Sequence, residues 1–194
     1  MMPNRYSVFD SFGPDRSLQL LSRLPLYSGA SFEDIPVAHP MMPQDLWIAY
    51  EGRSNQDRGL LPQWPTIFWS GLGLATEMVG VDVEDACAGN FSLAYGQEAA
   101  LWGRATTCKL HIRPRGIFHN PMKPDQLQLR HSTSKEFITV NEFLKILARR
   151  VKAYFLKHHV QIPGFGHITP ARLRIVGTSW VSRGAIMPLL QVVR

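Results

Sequence analysis

At 194 residues, with 45% hydrophobic and 19% charged residues, the chain has the makeup of a folded domain and not of a disordered segment. Its formal charge of +6 conceals an imbalance. Residues 1–98 carry five Lys/Arg against twelve Asp/Glu, a net of −7, and residues 99–194 carry sixteen against three, a net of +13. Two cysteines without C-x-x-C spacing exclude a disulfide framework and a zinc ribbon, and no leader or long apolar run marks export or a membrane span, so free thiols in a reducing cytoplasm are expected.

Residues 1–45 read as an irregular arm, because Pro3, Pro14, Pro25, Pro36, Pro40 and Pro43 break any long element. Within it, residues 17–24 suit a short strand, and residues 35–43 an extended connector that wraps a core or docks on a partner. Residues 46–50 are aromatic and β-branched enough for a strand. A polar loop follows. Two prolines then open residues 61–80, whose Ile67, Phe68, Leu72, Ala75 and Met78 predict a helix over 65–79. The S-G-L-G within it lacks the third glycine of a dinucleotide fingerprint. Asp82, Glu84 and Asp85 lack calcium-loop spacing and read as a solvated turn, with a strand expected over 90–95.

The second half is more regular. In residues 107–113, Cys108, Leu110 and Ile112 alternate with Lys109, His111 and Arg113, which predicts a strand with one core face and one basic face. Residues 126–130 alternate in the same way, with Leu127 and Leu129 inward and Gln126, Gln128 and Arg130 outward. Residues 139–159 predict one helix: Thr139 and Glu142 make a capping box, and Val140, Phe143, Leu144, Ile146, Leu147, Val151, Tyr154 and Phe155 recur at helical spacing. Its other side carries Lys145, Arg149, Lys152 and, nearer the apolar edge, Arg150 and Lys157. Arg149 is expected to face a ligand and Arg150 to anchor the helix to the sheet. A G-F-G-H turn, a strand over 172–176 with outward Arg172 and Arg174, a turn over 179–184 and a final apolar strand over 187–193 complete the chain.

Leaving aside the strand at 126–130, the order is β-α-β-β-α-β. This predicts an α+β, ferredoxin-like (RRM-like) antiparallel sheet with two helices on one face, occupying residues 46–194 behind the 1–45 arm. The charge split points to a polyanion, and a basic strand face beside a basic helix suits a phosphate backbone. The opposite reading is that the acidic and basic halves neutralise each other across one core.

KLHIRPRGIF at 109–118, the run QLQLRHSTSKEFITVNEFLKILARRVKAYF at 126–155 and SWVSRGAIMPL at 179–189 together resemble the C-terminal domain of the RAMP-type CRISPR repeat-processing endoribonucleases. DLWIAYEG, LPQWPTIFWSGLGLATEMVG and NFSLAY, at 45–52, 61–80 and 90–95, resemble the opening strand–helix–strand of that domain. The resemblance implies a ferredoxin-like fold, CRISPR RNA and other subunits of a ribonucleoprotein complex as partners, and no cofactor. It also implies either metal-independent cleavage of precursor repeat RNA through the 2′-hydroxyl or retention of processed RNA in an effector complex. Residues 164–166 do not stand where the family places its glycine-rich RNA-holding loop, so both forms stay open.

If the chain cleaves, a histidine near the basic face must reach a 2′-hydroxyl, and His119, His131, His158 and His167 are the catalytic candidates, with His159 beside them. Adjacent His158 and His159 would point about 100° apart on a helix, which does not suit two ligands of one metal, and none is expected. Lys109, His111, Arg113, Arg130, Arg149, Lys152, Arg172, Arg174 and Arg183 are the expected RNA contacts. The competing reading is a non-enzymatic assembly protein of a virion or mobile element, whose arm embraces a neighbour and whose basic half faces nucleic acid or an acidic partner.

Overall fold

The computed structural model describes residues 6–7, 36–45, 66–68, 70, 79–98, 106–116, 124–182 and 184–193. In chain order the elements are β1 (Tyr6–Ser7), β2 (Pro36–Val37), β3 (Thr66–Ile67), β4 (Val81–Asp82), α1 (Val83–Ala88), β5 (Thr107–Leu110), β6 (Asp125–Gln128) and α2 (Val140–His158), then β7 (Gln161–Ile162), β8 (Gly166–His167), β9 (Leu173–Ser182) and β10 (Ala185–Val192). A 3-10 turn over Pro170–Arg172 leads into β9.

The long helix forms where its sequence predicts. Thr139 stays extended, its hydroxyl accepts from the Glu142 backbone N–H, and the Glu142 carboxylate accepts from the Thr139 N–H at 2.8 Å. Phe143, Leu144, Leu147, Ala148, Val151 and Phe155 fall on one side of α2 and are all buried. The helix ends at His159, which takes the left-handed conformation.

The sheet is organised around β9 and β10, which pair antiparallel along almost their whole length. β5 lies against β10 in parallel, and β6 pairs antiparallel with β5. The outer edge of β9 is shared: β3 takes Thr178 and Gly177, and β4 takes Ile175 and Arg174. The architecture is therefore α+β as expected, with two helices among the described residues, of which α2 alone stands where a helix is expected, and the sheet is mixed and not antiparallel throughout. β5 and β10 can run parallel because the chain between them, through β6, α2 and β9, is long enough for a crossover that no hairpin could make.

Val83 and Ala86 of α1 join the apolar side of α2 in one core with Cys108, Leu127, Ile175, Ile186 and Leu190. Every residue of β10 is buried, so both of its faces are covered. Part of its outer side is closed by residues 36–45, and this part of the arm is built into the chain's own sheet. The Met42 N–H donates to the Leu190 carbonyl, and the Val192 N–H donates to the Pro40 carbonyl. Gln44, fully buried, donates from Nε2 to the Pro188 carbonyl at 2.7 Å. A proline inside a central strand lacks an amide proton. Here β5 has already ended at Leu110, so no partner strand requires that proton, and Gln44 satisfies the carbonyl that remains.

Several local expectations are corrected. Thr66–Ile67 is a strand, so the helix expected over 65–79 does not begin there; residues 71–78 lie outside the described residues, as does the strand expected at 46–50. The acidic turn at Glu84 and Asp85 is the first turn of α1, where carboxylates favour the positive end of the helix dipole. Residues 90–95, expected as a strand, are loop and turn. β9 runs on through Ser182, across most of the turn expected at 179–184.

Candidate nucleic-acid interface

The polar side of α2 is divided between packing and solvent. α1 lies along one flank, and Glu84 on it holds Lys152 in an ion pair that raises the lysine's pKa. α1 has no basic residue in its own last turn; Lys145 of α2 reaches its C-cap, so that a Cβ added at Gly89 would meet the ammonium at 3.1 Å. A cation there suits the negative end of a helix. Cys87, on the same helix, is kept protonated by burial, which outweighs the opposing pull of Lys152 and Arg149. Lys145 and Lys152 thus hold α1 in place.

Arg149, Arg150 and Lys157 remain. All three are exposed, and among the described residues none forms an ion pair. Arg150 shares the exposure of Arg149 and makes no anchoring bond to the sheet among the described residues. Leu156, 56% exposed, lies on the same side as Arg149, two helical turns on.

The strand cations are elsewhere. Lys109 is exposed on β5 opposite Gln126 of β6, whereas Cys108 and Leu127 turn into the core that α2 covers. Strand alternation therefore points Lys109 away from the helix, so the basic faces of β5 and α2 look in opposite directions and make no common track. Arg113 is half-buried, and its backbone bonds Gln44 and Asp45. The Arg130 guanidinium sits 3.6 Å over the Phe137 ring and donates to the Lys135 carbonyl. Arg172 donates to the carbonyls of Phe165 and His167 at 3.2 and 2.7 Å. Arg174 pairs with Asp82 at 2.8 Å across a close approach to Gly80, where φ is +91° and a Cβ would fall 2.9 Å from the arginine Cγ. Arg172 is in the 3-10 turn and not on the strand expected to carry it. Arg183 lies outside the described residues.

Three of the four ion pairs among the described residues, Asp45–Arg115, Glu84–Lys152 and Asp82–Arg174, join an acid of the first half to a base of the second. Mutual neutralisation is thus real, and it leaves the α2 arginines out.

The histidines separate clearly. His111 is half-buried; desolvation first, then Arg113 and Lys109, lower its pKa to about 4, so at neutral pH it brings no charge to a phosphate. His131 stands 3.5 Å from Glu142 at the head of α2. His158 packs against the Tyr154 ring, centroids 4.7 Å apart. His159 and His167 are exposed, with ring planes 25° apart and centroids 6.3 Å apart. His119 lies outside the described residues. The His159–His167 pairing had no sequence signal, because it depends on the β7–β8 hairpin folding back over the end of α2. Lys157 is visible in the α2 pattern but is not among the contacts expected from the sequence.

Among the described residues no group of three His, Cys, Asp or Glu side chains is placed to hold a metal, and no helix is long and apolar enough to cross a membrane. Cys87 and Cys108 are free thiols. Comparison with protein-family models, with curated proteins and with solved structures gives no match.

Proposed function

We propose that the chain is an RNA-binding protein of the RAMP type that holds CRISPR RNA within a ribonucleoprotein complex, with Arg149, Arg150 and Lys157 on the RNA backbone. The observation that carries this reading is the exposure of Arg149 and Arg150 without an acidic partner among the described residues, in a half-chain of net +13. Two adjacent guanidiniums suit phosphate oxygens, which accept their forked donors. The resemblance at 126–155 and 179–189 supplies the RNA class and the expectation of a ferredoxin-like frame. The described elements keep the long helix between two strands and depart from that frame in the parallel β5–β10 pair.

Holding is favoured over cutting. Of the catalytic candidates described, His131 is engaged by Glu142 and His158 by Tyr154, and only His167 is exposed beside another imidazole. Purified protein incubated with labelled repeat RNA in chelator, at protein excess, tests both parts. Retarded but intact RNA is expected. Metal-free cleavage would replace holding with processing, and free RNA would remove the RNA-binding reading.

A further inference from the structure

We infer that His159 and His167 form a stacking site for an unpaired base of single-stranded RNA, at the C-terminal end of α2 and apart from the arginine face. The inference rests on the RNA-binding reading and adds to it the strandedness of the ligand and a second point of contact.

Four observations converge there. The two imidazoles are exposed and nearly parallel, 25° between planes and 6.3 Å between centroids, the arrangement of an offset aromatic pair with outer faces available for a third ring. The hairpin that carries His167 is held rigidly, because Arg172 donates to the carbonyls of both Phe165 and His167. A backbone that is tied down before binding loses little freedom on binding. The backbone beside them is open: a Cβ added at Gly164 or Gly166 would meet nothing within 4 Å. Finally, His159 ends α2 at φ 48° and ψ 49°, a left-handed position where glycine or asparagine is usual. Histidine is among the non-glycine residues that most readily take this conformation, so the C-cap sets the ring at the end of α2 beside the hairpin.

The chemistry favours a nucleobase over a metal ion. Two imidazoles without a third ligand beside them among the described residues are an incomplete metal site. Imidazole faces, in contrast, are among the surfaces on which unstacked RNA bases rest, and the exposed Lys157, two residues before His159, adds positive charge at this end of the helix. A duplex hides its base faces in its own stack and offers the site only phosphates.

The test compares the full chain with a variant carrying His159→Asn, which tolerates the left-handed conformation, and His167→Ala. Binding of one RNA sequence is measured single-stranded and as a duplex, with Arg149→Ala/Arg150→Ala as a third protein and thermal melting as the check on folding. The histidine variant is expected to bind single strands about fivefold or more weakly and duplex unchanged, with His167→Phe close to wild type on both. Equal losses on single strand and duplex would overturn the stacking site, since the pair would then contribute only general affinity. No loss in the histidine variant, with a loss in the arginine variant, would overturn the site and leave the RNA-binding reading standing. No binding of either RNA by the unsubstituted chain would overturn both.

Discussion

His111 gives a prediction whose sign and size both follow from the structure. Its imidazole is half-buried beside Arg113 and Lys109, and its pKa falls from 6.5 to about 4 in the fold. In the unfolded chain it protonates near 6.5, so between pH 6.5 and 4 the unfolded state binds more protons and folding weakens as pH falls. The stabilising contribution is complete above pH 6.5 and is lost by about pH 4. At 1.36 kcal/mol per pKa unit the whole effect is about 3 kcal/mol at most. Other acids contribute to acid unfolding, so the useful quantity is a difference. Urea denaturation of the wild type and of His111→Gln across pH 4 to 8 should give a gap that is flat above pH 6.5 and shifts in favour of the variant by about 3 kcal/mol toward pH 4. A gap that stays constant through this range would refute the account of a buried neutral imidazole and would restore His111 as a charged surface group.

Gln44→Leu should destabilise by about 1–3 kcal/mol in denaturant, because the Pro188 carbonyl loses its partner inside the core; an unchanged midpoint would mean that residues 36–45 are not part of the sheet in solution. Thr139→Ala should cost about 1 kcal/mol through loss of the α2 N-cap. Glu142 titrates below the usual carboxylate range, chiefly because it accepts the Thr139 backbone N–H. Its contribution is present above the unfolded carboxylate pKa and disappears as pH falls through its lowered value, so Glu142→Gln should remove that part of the acid sensitivity. Arg149→Ala and Arg150→Ala should each weaken RNA binding with melting temperature unchanged, since both side chains are exposed; a large loss of stability in Arg150→Ala alone would support an anchoring role.

What the amino-acid order conveys here is mostly local. α2 is legible because its capping box and its apolar period agree, and β5 and β6 are legible because one face of each is solvated, so that Lys109 and Gln126 alternate with Cys108 and Leu127. β10 is covered on both faces, and a run such as Ala185 to Val192 carries no alternation to show which strand lies beside it. Its parallel contact with β5 and its capture of residues 40–44 join positions distant in sequence, beyond any local pattern. α1 is only six residues long, too short for a period, and its acidic first turn imitates a loop. The site divides in the same way. The basic side of α2 was readable, but the removal of Lys152 by Glu84, of Arg174 by Asp82 and of Arg172 by backbone carbonyls depends on tertiary neighbours. So does the separation of Lys109 from the helix, which follows from strand and helix sharing one core between them.

The central claim is that exposed arginines of α2 hold the phosphate backbone of RNA. Its most direct test is the salt dependence of single-stranded RNA binding by the wild type and by Arg149→Ala/Arg150→Ala. The account predicts that affinity falls as salt rises and that the logarithmic slope is shallower in the double variant, by about 0.7 for each phosphate contact removed. An affinity indifferent to salt, or a slope that the two substitutions leave unchanged, would contradict it.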